Sequence, residues 1–532
     1  MRKPLLFFYS IIIVFSISYT SCKPDKTSPV ITRDTTITPI TAITSLVLDS
    51  NQVEQFISQQ HMDKDKAVQF RNFYLSRNYQ YTWFDEEGLT QQTSGFWNLY
   101  LHFVSFQPDS SLLDKTLQEE MQHYVDDSLH FNNDTIRLKT ELGLTNLFFK
   151  YAQYAYAGKI DPAELQWHIP RKKLDLVSLL DSLADNKNVD FKKWEPVSSQ
   201  YVLLRDKLSE YGNFAKRGGW DSLPYLPDLK RGKESLSIIK LKDRLSREGL
   251  FPASDSTALY DSMLFETIKL VRSRYGLNES GGIDKALINE LNVPVETRIS
   301  QILVNMERMR WLPKSNDKRY IVVNIPDFIL TVFDDDTITL KMRVVVGKAG
   351  TSTVVFTNTL KTIVFAPYWN VPYSISKNEI LPAIRRNKNY LANNNMEITG
   401  YSGNVPIVRQ RPGGNNSLGK VKFLFPNSYN IYFHDTPAKS LFSRDFRAFS
   451  HGCIRLQEPF ELAEYLLRDQ PQWTPDSIQV AMNKTKETWV SIKQPIPVWI
   501  TYFTAYTDNN NMLQFRNDVY GHDAIMIKKL FK

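Results

Sequence analysis

The stretch YNIYFHDTPAKSLFSRDFRAFSHGCIRL, residues 429–456, holds an imidazole and a thiol, a pair from which a nucleophile can be made at neutral pH. His434 ends an apolar run that reads as a strand, and Cys453 follows in Ser450-His451-Gly452-Cys453-Ile454-Arg455. A free thiol has a pKa of about 8.5 and is mostly protonated at neutral pH. A neighbouring imidazole can take that proton, and the thiolate then attacks a carbonyl carbon. Gly452 permits backbone angles and a close approach that other residues resist. The backbone N–H groups of Gly452 and Cys453 can face a developing oxyanion. Arg455 can either grip a substrate carboxylate through two parallel hydrogen bonds or hold the loop.

The chain has only two cysteines, Cys22 and Cys453. Its start, MRKPLLFFYSIIIVFSISYTSC, has the layout of a secretory signal: basic Arg2 and Lys3, an apolar run, then small residues. The apolar run is shorter than the roughly 20 residues of a spanning helix. Small residues running into Cys22 resemble a bacterial lipoprotein box, which predicts lipidation of Cys22. A lipidated Cys22 leaves Cys453 as the one thiol and excludes a structural disulfide, which favours a chemical role for it.

The other elements must position this pair. With 532 residues, 42% of them hydrophobic and 13% aromatic, there is material for two to four domains with real cores. Residues 22–45 are rich in Thr, Pro and Ser and read as a tether. From 46 to 230 the apolar spacing is helical, as in DKAVQFRNFYLSRN and LGLTNLFFKYAQYAYAGKI. The aromatic run NYQYTWFDEEG reads as packing between helices, with sugar stacking by Tyr81 or Trp83 as the alternative. Residues 231–295 form three short helices, with apolar stripes at Leu241, Leu245 and Leu250 and at Phe265, Ile268 and Val271. An amphipathic connecting helix is expected within 296–317. Beyond 318 the period shifts to strands, with Asp334-Asp335-Asp336 read as a solvated hairpin tip. Residues of about 376–425 look polar and more helical, as an insertion would.

Two decoys fall away. GNNSLGKV fits the glycine and lysine spacing of a phosphate-binding loop, but Val421 stands where a metal-binding hydroxyl is required. The eight histidines are scattered without zinc-site spacing, so no metal and no other cofactor is implied. The net charge of +8 is spread along the chain; without a dense basic run interleaved with aromatics, nucleic acid is not an expected partner.

The motif resembles the catalytic domain of the L,D-transpeptidase (YkuD-like) family, whose signature is a His followed at this distance by Ser/Thr-His-Gly-Cys, an apolar residue and Arg or Asn. Here fifteen residues separate His434 from Ser450. The flanks VVVGK, PYWNVPYSI, LGKVKFLFPN and HDTP resemble the large Gram-negative members. The resemblance implies an α+β multidomain fold: a helical scaffold (46–230), a peptidoglycan-binding-like three-helix domain (231–295), and a mostly-β catalytic domain (318–525) with a lid inserted. Val271-Arg272 replaces that three-helix domain's usual phenylalanine-glutamine pair, so sugar binding there stays open against a purely structural spacer. The resemblance further implies Cys453 as nucleophile, His434 as base, and a backbone carbonyl just after His434, nearest Asp435, orienting the imidazole. His451 would shape the loop, and Ser450, Arg455, Tyr373 and Trp369 would contact substrate. The implied reaction is 3→3 cross-linking of peptidoglycan stem peptides, with carbapenem-type inhibitors expected, in a Gram-negative periplasm on a lipid anchor. Water or another protein's amine as acceptor, or a binding scaffold with a vestigial site, are the rival readings.

Overall fold

The computed structural model describes residues 44–531 apart from 106–111, 127–132, 166, 170–173, 186–189, 191–193, 226–228, 313–316 and 336. The signal, Cys22 and most of the tether therefore lie outside the described residues. The chain divides into two units, 1–88 and 89–532. Among the described residues no helix is long and apolar enough to cross a membrane.

In the first unit Ser50–Gln59 and Lys64–Ser76 are helices. Asp49 and Gln52 close a capping box on the first, and Asp63 caps the second. Phe56 stacks on Phe70 with ring centroids 5.5 Å apart. Trp83 is fully buried and Tyr81 nearly so. Neither offers a face to a sugar, so the packing reading holds for both.

The second unit opens with helices that include Gln91–Ser105, Asp134–Ala152 and Ser199–Lys216. Three short helices follow, Leu236–Arg247, Ser262–Arg274 and Lys285–Leu291, capped by Ser235, Asp261 and Asp284. Their core takes Ile238, Leu241, Leu245, Leu264, Ile268 and Val271. Phe265, expected inside, is only half-buried, with the Arg231 and Lys269 cations over its ring. Arg272 is a structural strut: its guanidinium donates to the carbonyls of Asn278 (2.5 Å) and Gly282 (2.9 Å) and pairs with Asp284.

The connecting helix Val295–Trp311 is not amphipathic in the expected sense. Its polar side chains Asn305, Glu307, Arg308 and Arg310 are buried along with its apolar ones. Each has partners, as buried charge requires. Glu307 accepts from the Ile160 N–H at 2.7 Å. Arg310 donates to the Ala155 carbonyl at 2.9 Å and to the Tyr201 hydroxyl at 3.0 Å. Asn305 bonds Thr504, and Arg308 pairs with Asp523 at 2.6 Å over the rings of Trp167 and Tyr502. The helix thereby ties the helical region to the strand-rich domain that follows it.

That domain is built on nine strands: β1 (Arg319–Asn324), β2 (Ile329–Asp334), β3 (Thr337–Gly347), β4 (Phe356–Phe365), β5 (Val421–Leu424), β6 (Phe433–His434), β7 (Ala448–Ser450), β8 (Ile454–Leu456) and β9 (Thr488–Thr501). They lie in the order β7-β3-β8-β6-β5-β4-β9-β1-β2, and β2 also pairs with β3, closing the sheet on itself. One face of every strand feeds a single apolar core: Val344, Val346, Ile363, Phe365, Val421, Phe423, Phe433, Ile454 and Leu456 all belong to it. Asp334 is not merely a solvated tip residue; it ends β2 in an ion pair with Arg468 at 2.6 Å. The helices Pro475–Met482 and His522–Leu530 were not anticipated from the sequence.

The insertion is less helical than expected. Short helical turns span residues 373–393, after which Met396–Ser402 and Val405–Gln410 form a hairpin that Trp369–Asn370 extends to three strands. Val421–Leu424 belongs to the barrel, paired with β4. The insertion has its own small core of Val371, Ile380 and Val408.

Removing one member of a buried ion pair leaves the other charge uncompensated, which typically costs 3–5 kcal/mol. Asp523→Ala is therefore expected to lower stability by about 3 kcal/mol, read as a drop in the urea midpoint followed by tryptophan fluorescence. Adding Arg308→Met to it should recover part of the loss.

Candidate active site

β6 and β8 run parallel, with Phe433 opposite Ile454 and His434 opposite Arg455. Phe433 and Ile454 point into the core, so His434 and Arg455 point to the other face. Two residues before His434 and two before Arg455 stand Tyr432 and Cys453, held by the Ile454 N–H donating to the Tyr432 carbonyl at 3.1 Å. The fold thus brings His434, Cys453, Arg455 and Tyr432 into one neighbourhood. Side chains two apart on a strand share a face, and the Tyr432 hydroxyl lies within hydrogen-bonding reach of the Cys453 sulfur.

His434 is buried, and its Nδ1 lies 2.5 Å from the Asp435 carbonyl oxygen. A carbonyl only accepts, so Nδ1 carries the proton and Nε2 keeps its lone pair. Burial and the nearby Arg455 cation push the imidazole pKa down to about 3. The Asp435 carboxylate has other work: it accepts from the Lys420 N–H at 2.9 Å and pairs with Lys439 at 2.9 Å. Gly419, at φ +61°, lies so close to it that a Cβ would sit 2.3 Å from that carboxylate oxygen. A carboxylate thus occupies the turn that the phosphate-loop spacing had marked, and Val421 opens a strand.

Cys453 is half-buried. Its Sγ lies 3.4 Å from the Asn430 carbonyl oxygen, a geometry for the protonated thiol. Burial pushes the thiol up, while the N–H and hydroxyl of Tyr432 and the Arg455 cation hold it down. Burial, with a smaller share from the same contact, pushes the Tyr432 phenol far up. The resting pair is therefore neutral thiol and neutral imidazole.

Side-chain hydrogen bonds hold the loop before Cys453. Ser450, grouped above with substrate contacts, is buried; its Oγ donates to the Cys453 carbonyl at 2.5 Å and accepts from the Gly452 N–H at 3.1 Å. Ser450 is thus a positioning residue, and the Gly452 N–H is not free for an oxyanion. These contacts leave the Cys453 N–H unused. Gly452 has φ +110°, and its carbonyl accepts from Thr353 Oγ1 at 2.8 Å. His451 does not bond locally: its Nε2 lies 2.9 Å from Glu379 of the insertion. Arg455 is partly buried, its Nε without a hydrogen-bond partner. Tyr373 is exposed at the start of the insertion, and Trp369 packs, partly buried, on the insertion's core. Reading from the sequence missed Tyr432, Asn430, Thr353 and Glu379. Only Tyr432 carried a signal, two residues before His434 on a strand of period two.

Residues 318–492 match the family model of the L,D-transpeptidase catalytic domain, and residues 68–208 match that of a scaffold domain. A curated protein of Haemophilus influenzae, named "Putative L,D-transpeptidase", is 33% identical over 244 residues, 43% of this chain and 49% of that protein. The chain thus spans about half the length of the curated relative it matches. Similar solved structures include an L,D-transpeptidase from Mycobacterium smegmatis, at 18% identity and TM-score 0.20 over 35% of this chain and 58% of that one. Another is L,D-transpeptidase 3 from Mycobacterium tuberculosis with a faropenem-derived adduct, at 15% identity and TM-score 0.19 over 35% and 60%. The chain thus carries an L,D-transpeptidase catalytic domain over residues 318–492 and a scaffold domain over residues 68–208.

Two measurements test this electrostatic description. An unfolded histidine titrates near pH 6.5, so between there and about pH 3 the unfolded chain binds a proton that folded His434 refuses. Stability should fall as pH falls through that window, by up to about 1.4 kcal/mol per pH unit from this residue. His434→Gln should remove that share, seen as a shallower dependence of Tm on pH. For the thiol, Tyr432→Phe deletes a donor to the thiolate and should slow iodoacetamide alkylation of Cys453 at pH 7 about tenfold. The wild-type rate should climb with pH beyond 8, with no plateau between pH 4 and 7 of the kind a thiolate–imidazolium pair would show.

Proposed function

We propose that the protein is a murein L,D-transpeptidase that forms 3→3 peptidoglycan cross-links through a Cys453 acyl-enzyme. The observation that supports this reading is the parallel β6–β8 register, which puts His434 on the face of the sheet shared by Arg455, next to the strand that Cys453 precedes, with the imidazole Nδ1 committed to the Asp435 carbonyl. In the proposed cycle the thiol proton moves to His434 Nε2 as Sγ bonds to the carbonyl carbon of the L-centre of the diamino acid. The oxyanion is received by the Cys453 N–H. The terminal D-Ala then leaves as its amine, taking the proton from His434, and a thioester remains. The side-chain amine of a second stem attacks the thioester, His434 removes its proton, and the thiol is restored.

The neutral resting pair fits this sequence, since proton transfer and attack then occur together and the thiol stays unreactive until a carbonyl is in place. Glu379 and His451 join the insertion to the loop of the nucleophile, which suits a cover that excludes water during the thioester stage. The assigned setting is the periplasm of a Gram-negative cell, with Cys22 lipidated. Carbapenems, whose strained carbonyl is a target for the same thiolate, are the inhibitor class assigned to Cys453.

The test is intact-mass analysis of the protein with a disaccharide-tetrapeptide. Wild type should show a thioester adduct and release cross-linked dimer, and Cys453→Ala should show neither. Tripeptide without dimer would make the acceptor water and the enzyme a carboxypeptidase. Cross-linking that survives Cys453→Ala would sink the assignment.

A further inference from the structure

The row of side chains through His434 continues past it. In register across the sheet stand Val345 on β3, Arg455 on β8, His434 on β6, Lys422 on β5, Val364 on β4 and Trp489 on β9. Directly paired residues share a face. None of the six belongs to the barrel core, whereas the alternate residues Val344, Ile454, Phe433, Phe423 and Ile363 do. Two cations, Arg455 and Lys422, therefore flank the histidine on the face that carries Cys453.

Lys422 is an unusual lysine for this position. Its side chain is partly buried, its Nζ sits 5.5 Å from the centre of the Trp489 ring, and burial pushes its pKa down. No described carboxylate lies within ion-pair distance of its ammonium. Glu487 acts on it electrostatically but uses its oxygens on the Trp489 indole N–H (2.8 Å) and the Tyr368 N–H (3.4 Å). That leaves Glu487 fixing the indole plane while the Trp489 ring stays largely exposed. A partly desolvated ammonium without a partner, on an oriented aromatic floor, is a receptor for an anion. Adjacent strands are about 4.8 Å apart, so the Lys422 and Arg455 backbones stand about 10 Å apart, a span of about three extended residues.

We propose that Lys422, on its Trp489 floor, is a binding subsite for a carboxylate of the peptidoglycan stem peptide, on the opposite side of His434 from Arg455. It rests on the reading of the site as an L,D-transpeptidase. The carboxylate can belong to the donor stem or to the acceptor stem, and the two half-reactions separate them.

The experiment follows both steps by intact mass for wild type, Lys422→Met and Lys422→Arg, with stem tetrapeptides whose side carboxylates are free or amidated. Wild type should prefer the free acid about 10- to 100-fold in one half-reaction. Lys422→Met should lose that preference while still processing the amide, and Lys422→Arg should keep most of it. Loss in thioester formation assigns the donor stem; loss only in dimer formation assigns the acceptor. A wild-type enzyme indifferent to amidation, or a Lys422→Met that slows acid and amide equally, overturns the subsite and leaves the transpeptidase reading standing. A wild-type protein that forms no thioester with any stem overturns that reading instead.

Discussion

The chemistry of this protein depends on one strand pairing. β6 and β8 are two and three residues long, too short to be stable as a pair alone, yet their parallel register decides whether an imidazole and a thiol can meet. A slip of one residue would turn His434 into the core and Phe433 out of it. The register is held from both sides: Phe433 and Ile454 are fully buried in the barrel, and β6 and β8 are each flanked by a further strand. The turn from β7 to β8 is held by side-chain hydrogen bonds: the Ser450 hydroxyl bonds both the Cys453 carbonyl and the Gly452 N–H, and Thr353 donates to the Gly452 carbonyl. Core packing sets which face the pair occupies, and side-chain hydrogen bonds set where on that face the sulfur lies.

The connecting helix shows the same division of labour on a larger scale. Its apolar residues would pack in several registers, since hydrophobic contact is non-directional. Its buried Asn305, Glu307, Arg308 and Arg310 would not, because each needs a particular partner. Glu307 and Arg310 find theirs in the helical region, Asn305 and Arg308 in the catalytic domain. The charges thus specify how the barrel is mounted, and their desolvation is offset by those partners.

What could be read from the sequence divides along physical lines. Local features were legible: helical spacing in DKAVQFRNFYLSRN, the shift to strands after 318, and the signature from His434 to Arg455 that marks the catalytic-domain family. Features that depend on contacts distant in sequence were not. The buried charges of the connecting helix looked like a polar face because periodicity does not record what packs there. Ser450 looked like a substrate contact because its burial follows from the turn at Gly452. The hairpin at 396–410 carries Gly400 and Pro406 and few apolar residues in alternation, so its strand character comes from pairing and not from pattern. Lys422 could not be placed beside His434 without the antiparallel β5–β6 register.

The electrostatics of the site link binding to base strength. His434 is a weak base at rest because it is buried and because Arg455 opposes its protonation. Lys422, paired with it in register on the other strand, adds a second cation to the same row. An anion seated against Arg455 would cancel part of that repulsion and raise the imidazole pKa toward its ordinary value, where it accepts a proton more readily. Tyr432 acts in the same direction on the other partner, since its donors stabilise sulfur only once charge develops there. A site built in this way stays neutral and inert when empty. On the proposed function it would become basic and nucleophilic when a ligand of the right charge fills it, and selection of the substrate and activation of the thiol would be one electrostatic event.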